Sequence, residues 1–266
     1  MAPRRMAIIG CGAIASRIVD AVASGLLSYR VTGLLDLKPE RCRRLAERLP
    51  EPPRIAGSLE ELLSTRPEIV VEAASPEAVG EYGERVLRAG ASLVVLSVSA
   101  LLDEQLLSRL ARAAGETGSR IYVPTGAVAG LDAVRAHRLA GIERLVLRTV
   151  KPPEALGLSR EQLNGGRRLL YRGPAREAAR RYPLNLNVAA ALALAAGREP
   201  TVEVYADPNA TRNIHVVLVE SPAGRLEIRV ENVPSPENPR TSLLAALSVV
   251  ELLRRLSQRD PLEVGS

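Results

Sequence analysis

The chain has 266 residues, 46% of them hydrophobic, with a formal net charge of +6 and with Tyr as its only aromatic type besides two His. That length suits one large domain or two modest ones with an aliphatic core, and no apolar run reaches the roughly 18 residues of a membrane span. All the basic residues except Lys38 and Lys151 are Arg, spread along the chain and interleaved with Glu; without basic runs or stacking aromatics, this footprint speaks against nucleic-acid binding and for solvated helix faces.

Two cysteines, Cys11 and Cys42, make no disulfide framework and no ligand cluster, so they read as spare small residues and no metal site is expected. The basic residues before the apolar stretch 6–9 mimic a signal peptide weakly; the stretch breaks at a glycine loop, which fits a strand better, and a cytoplasmic protein is expected.

In chain order, 6–9 reads as a strand and is followed by Gly10-Cys11-Gly12-Ala13-Ile14-Ala15, a G-x-G-x-x-A match. Ile14, Ile18, Val22 and Leu26 then recur at helical spacing, and a second apolar run, 31–35, ends in Asp36. Strand, turn, helix, strand and terminal acid occur in the order of a dinucleotide-binding fingerprint. Gly10 makes the tight turn, Gly12 lets backbone N–H groups approach a pyrophosphate, and Ala15 lets the helix pack closely. The phosphates meet the helix start, at Ala13 and Ile14. Asp36 suits the ribose hydroxyls of NAD, while Lys38, Arg41 and Arg43 could meet the 2′-phosphate of NADP, so both cofactors stay open. An ordinary βα turn is the alternative reading.

Helices are expected at 39–49, from 58, at 77–88 and at 103–115, and strands at 68–73, 92–98 and 120–123. This alternation implies a parallel, doubly wound sheet of Rossmann type, with ligands at the carboxyl ends of its strands. Ser75 and Ser97 lie at those ends, as cofactor contacts or as helix caps.

After Gly130 the pattern changes. A helix at 131–140, a strand at 144–151 and a punctuated loop at 152–166 precede helices at 175–181 and 186–196. Strands at 202–205, 214–220 and 226–231 follow without helices between them, which suggests a second, smaller α+β domain on a largely antiparallel sheet. A polar break at 234–239 leads to a closing helix at 241–256. The expected domains are 1–123 for the dinucleotide, 124–239 for substrate and catalysis, and 240–266 as a C-terminal helix packing back on the first domain.

Of the two histidines, His137 lies on a helix among arginines and reads as a surface or boundary residue. His215 opens a strand after a turn, where a satisfied sheet histidine and a proton shuttle are both tenable. The chain resembles the L-aspartate dehydrogenase family through Pro124-Thr125-Gly126-Ala127-Val128-Ala129-Gly130-Leu131-Asp132-Ala133, Thr149-Val150-Lys151-Pro152-Pro153, Tyr182-Pro183-Leu184-Asn185-Leu186-Asn187, Asp207-Pro208 with Asn213-Ile214-His215, and Asn238-Pro239-Arg240-Thr241-Ser242. The glycine loop and Ser97-Val98-Ser99 match as well. Ser99, Thr125 and Arg240 stand where the family is expected to carry Gly, Ser and Lys.

The resemblance implies NAD(P)-dependent oxidative deamination of L-aspartate through iminoaspartate to oxaloacetate and ammonia, a reaction that in some organisms feeds NAD biosynthesis. It implies His215 as the active-site histidine and Ala127 and Asn187 as cofactor contacts. The two substrate carboxylates call for cations, with Lys151, Arg212 and Arg240 as the candidates. The nicotinamide is expected to meet the imidazole of the other lobe, in a protein that forms a homodimer. The alternatives are another two-domain reductase, of homoserine dehydrogenase or dihydrodipicolinate reductase type, and a non-catalytic nicotinamide nucleotide sensor.

Overall fold

The computed structural model describes residues 3–181, 186–235 and 238–258, with side chains throughout except at 179–181, 186 and 238–241. The chain forms two compact units, one running to Pro124 and resuming at Ala246, the other Thr125–Ala245.

In the first unit β1 (Arg4–Ile9), β2 (Tyr29–Leu35), β3 (Arg54–Ala56), β4 (Ile69–Glu72), β5 (Ser92–Val95) and β6 (Ile121–Tyr122) pair in parallel in the order β3-β2-β1-β4-β5-β6. This is the doubly wound order that reverses direction between β1 and β4. The crossovers carry α1 (Ala13–Ala23), α2 (Pro39–Ala46), α3 (Leu59–Ser64), α4 (Pro76–Arg88) and α5 (Glu104–Thr117). β4 up to Glu72 and most of β1 are apolar on both faces because helices cover both sides. Ile8, Ile18, Leu34 and Val71 share one core with Val249, Val250 and Leu253 of the last helix, α9 (Leu243–Ser257).

The second unit holds a five-stranded sheet in the order β11-β10-β7-β9-β8. Its strands are β7 (Arg144–Lys151), β8 (Arg168–Pro174), β9 (Thr201–Ala206), β10 (Asn213–Ser221) and β11 (Gly224–Asn232), and all pairings are antiparallel except β7 with β9. One face packs Leu145, Leu147, Val202, Val204, Val217 and Val219 against α6 (Leu131–Leu139), α7 (Ala175–Arg181) and α8 (Leu186–Ala196). The opposite face carries Val146, Val150, Ile214, Val216 and Leu218.

Three sequence expectations change. The strand expected at 92–98 stops at Val95 and turns into a 3-10 helix, Val98–Leu102. The loop at 152–166 contains two 3-10 turns, and β8 follows it unannounced because its side chains are mostly exposed and lack a clean alternation. The polar break at 234–239 contains a short antiparallel pair, β12 (Pro234–Ser235) with β13 (Asn238–Ser242). The break expected at Tyr182-Pro183 lies outside the described residues.

Candidate active site

The glycine loop is shaped by contacts that the sequence implies only in part. Gly10 has φ +91°, and a Cβ there would lie 2.6 Å from the backbone of Ala73, so β1 and β4 approach too closely for any side chain. Gly12 is different: it caps α1 without a side-chain bond, and a Cβ there would meet nothing within 4 Å. The start of this 11-residue helix therefore offers free N–H groups and its positive dipole end at Ala13 and Ile14, beside open space. Those features fit a dinucleotide pyrophosphate.

Asp36 closes β2 with both carboxylate oxygens engaged. The Cys11 N–H donates to Oδ2 at 2.7 Å and the Lys38 N–H to Oδ1 at 2.8 Å, which ties the glycine loop to the second strand. Asp36 retains partial exposure and lone pairs for ribose hydroxyls. Next to it Leu37 is 98% exposed. Lys38, Arg41 and Arg43 are exposed as well. Cys11 and Cys42 bring their buried sulfurs to 3.1 Å as free thiols; burial raises both thiol pKa values, that of Cys11 far above the ordinary range. They are poor nucleophiles.

At the ends of β4 and β5 the organising group is Glu72, which the sequence reading missed. It is 1% exposed and accepts four hydrogen bonds: Ala74 N–H at 2.8 Å, Leu96 N–H at 3.2 Å, Ser97 N–H at 2.9 Å and the Ser97 hydroxyl at 2.8 Å. Burial raises its pKa, and these donors offset only part of the rise. Ser97 thus gives its hydroxyl proton to Glu72, and its oxygen is left only as an acceptor. Ser75 caps α4 by accepting from the Ala78 N–H at 3.4 Å. An acid ending a buried apolar strand was the available signal for Glu72.

In the second unit His215 stands opposite Thr149 on β7 and Val230 on β11. Its Nδ1 is hydrogen bonded to Thr149 Oγ1 at 3.0 Å. With Nδ1–H donating, Nε2 is left as a free base. Lys151, two residues beyond Thr149, shares this face because alternate strand residues point the same way. His215 is 5% exposed and Lys151 4%. Burial lowers Lys151 to about 8, and no carboxylate pairs with it among the described residues. Burial, followed by the charge of Lys151, lowers His215 to about 4, so it is neutral at physiological pH.

The other expected residues divide. Ala127 is tied to β11 through its carbonyl, which accepts from Asn232 Nδ2 at 3.0 Å. Asn187 is exposed in the first turn of α8, and Arg212 is exposed just before β10. Arg240 lies on β13 with its side chain outside the described residues. His137 bonds Ser221 Oγ at 2.8 Å, at the opposite end of β10 from His215. No group of three or more possible metal ligands occurs among the described residues, and no described helix is long and apolar enough to cross a membrane.

Comparison with known proteins gives this arrangement a context. The L-aspartate dehydrogenase of Methanothermobacter thermautotrophicus is 41% identical, covering 94% of this chain and 95% of its own. The L-aspartate dehydrogenase 2 of Bordetella bronchiseptica is 43% identical over 94% and 96%. This chain belongs to the L-aspartate dehydrogenase family. The family model described as aspartate dehydrogenase, C-terminal, matches residues 132–256, and one described as homoserine dehydrogenase, NAD binding domain, matches 10–124. The crystal structure of aspartate dehydrogenase from Thermotoga maritima matches with a TM-score of 0.78 at 27% identity, over 98% of this chain and 99% of that one. In this chain the glycine cradle offers open donors and the His215–Lys151 face carries buried polar groups.

Proposed function

We propose that this chain is an NAD(P)-dependent L-aspartate dehydrogenase, converting L-aspartate through iminoaspartate to oxaloacetate and ammonia. The observation that carries the reading is Lys151, a buried ammonium without a counter-ion among the described residues, on the same sheet face as a neutral, buried histidine. A buried cation of this kind is stabilised by an anion that arrives with the substrate. The family relatives supply the substrate, an amino acid with two carboxylates.

The glycine loop, the start of α1 and Asp36 would hold the dinucleotide, with Leu37 against the adenine. When bound, NAD(P) supplies the hydride acceptor. Lys151 binds a substrate carboxylate and fixes the position of Cα. His215, held through Nδ1 by Thr149, takes a proton from the substrate ammonium at Nε2, which frees the nitrogen lone pair needed to expel hydride from Cα. Once that proton has passed to solvent, the same nitrogen takes one from the water that adds to the imine and returns it to the departing amine. Arg212, Asn187 and Arg240 are assigned supporting contacts with substrate or cofactor.

The test is absorbance of the reduced cofactor with L-aspartate as sole amine donor. Aspartate-dependent reduction of NAD or NADP is expected; its absence with folded protein overturns the reading. For His215→Asn, kcat should fall on the order of 100-fold or more with the fold intact. Full turnover in that variant removes His215 from the mechanism.

A further inference from the structure

Asn232 is 2% exposed at the end of β11. Its Nδ2 donates to the Ala127 carbonyl, and its Oδ1 is buried without a hydrogen-bond partner among the described residues. The amide orientation follows from that bond: turned over, it would set two oxygens against each other. Native folds rarely leave a buried side-chain acceptor unpaired, and such an atom calls for an explanation.

Register supplies one. Asn232 pairs with Asn213, two residues before His215 on β10, so Asn232 and His215 occupy one face in adjacent rows. Lys151 occupies the same face on β7, the strand on the other side of β10. The orphan acceptor and the unpaired cation therefore flank the strand of the histidine, about 10 Å apart at the backbone from two strand spacings. With side chains reaching in from both sides, that span suits a small molecule with an anion at one end and an N–H donor at the other.

We propose that Asn232 Oδ1 accepts a hydrogen bond from the substrate's amino nitrogen and so selects an amino dicarboxylate over its amine-free counterparts. The assignment rests on the dehydrogenase reading above. The ammonium first gives one proton to His215 Nε2. As hydride leaves Cα with its electron pair for the oxidised nicotinamide, the nitrogen lone pair forms the C=N bond, and positive charge develops on a nitrogen that still carries two N–H bonds. A carboxamide oxygen already desolvated and fixed by its own Nδ2 bond stabilises that charge without reorganising. Oxygen in place of nitrogen, as in a 2-hydroxy acid, offers one donor and develops less charge there.

The experiment compares binding of L-aspartate, as KM and as dissociation constant, with inhibition by succinate, which has both carboxylates and no amine. In Asn232→Ala, aspartate binding should weaken on the order of tenfold to a hundredfold, while the succinate inhibition constant stays within about twofold of wild type, the range expected when no contact is lost. Equal weakening of both would mean that Asn232 only ties down the Ala127 segment and would overturn the proposal, as would no change in either. If Asn232→Ala does not fold, Asn232→Asp decides: it keeps an acceptor but loses the donor to Ala127, so the preference for aspartate over succinate should persist, and its loss overturns the proposal. A wild-type protein that turns over no aspartate defeats the family reading instead, and the two failures are thereby separate.

Discussion

At neutral pH the Lys151 ammonium is buried without a counter-ion among the described residues, so the native chain releases its proton near pH 8, whereas an ordinary lysine holds it to about 10.5. The unfolded chain therefore binds more protons over that interval. The contribution of Lys151 to stability is lowest below pH 8 and recovers as pH rises from about 8 to about 10.5, a penalty on the order of 3 kcal/mol. Lys151→Met should accordingly raise the melting temperature at pH 6, with the gain shrinking toward pH 10.5, and should abolish succinate binding. Lower stability at pH 6 would mean that the charge is already compensated. Since Lys151 also depresses His215, the same change should move the imidazole titration above about 4, readable by NMR. Wild-type succinate affinity should fall as pH rises through about 8. Among these groups, His215 and Lys151 were legible because motifs carried them. Glu72 showed only as an acid ending an apolar strand, its role resting on a partner 25 residues away, and Asn232 not at all, since its meaning lies in a partner 105 residues away and in an acceptor left over.

The β1–α1 turn shows how neighbouring glycines take different roles within one element. Gly10 is required by its positive φ and by the Ala73 backbone, Gly12 by neither. Gly10→Ala should lower the stability of the first unit by roughly 2 kcal/mol or more, through strain and overlap together. Gly12→Ala should melt like wild type yet bind dinucleotide more weakly, because its Cβ occupies space that a phosphate would use. Calorimetry and cofactor titration of the pair would check this, and identical behaviour of the two variants would refute the division. Elements with a strong period, such as α4 or β7, could be read from sequence to within a residue or two. The edge strand β8 could not, because it buries little and its identity comes from pairing with β9. The early end of β5 was hidden too, since the Glu72 bonds that draw Leu96 and Ser97 into a turn are non-local.

At the scale of the whole chain, the second unit is inserted between Pro124 and Ala246, and the first unit's core is completed only by residues of α9. Alternation of strands and helices revealed the first architecture and its loss after Gly130 the second. The partition of core residues between them depends on packing, which an aliphatic core without Phe or Trp leaves unmarked. Both cysteines lie in the first core. Held at high pKa and shut from solvent, they should stay silent toward an aromatic disulfide reagent in the native protein and count as two after denaturation; prompt labelling in the native state would contradict that. Since Cys11 forms part of the glycine turn, slow labelling would act as a clock for how often the nucleotide cradle breathes, and saturating dinucleotide should make that clock run slower.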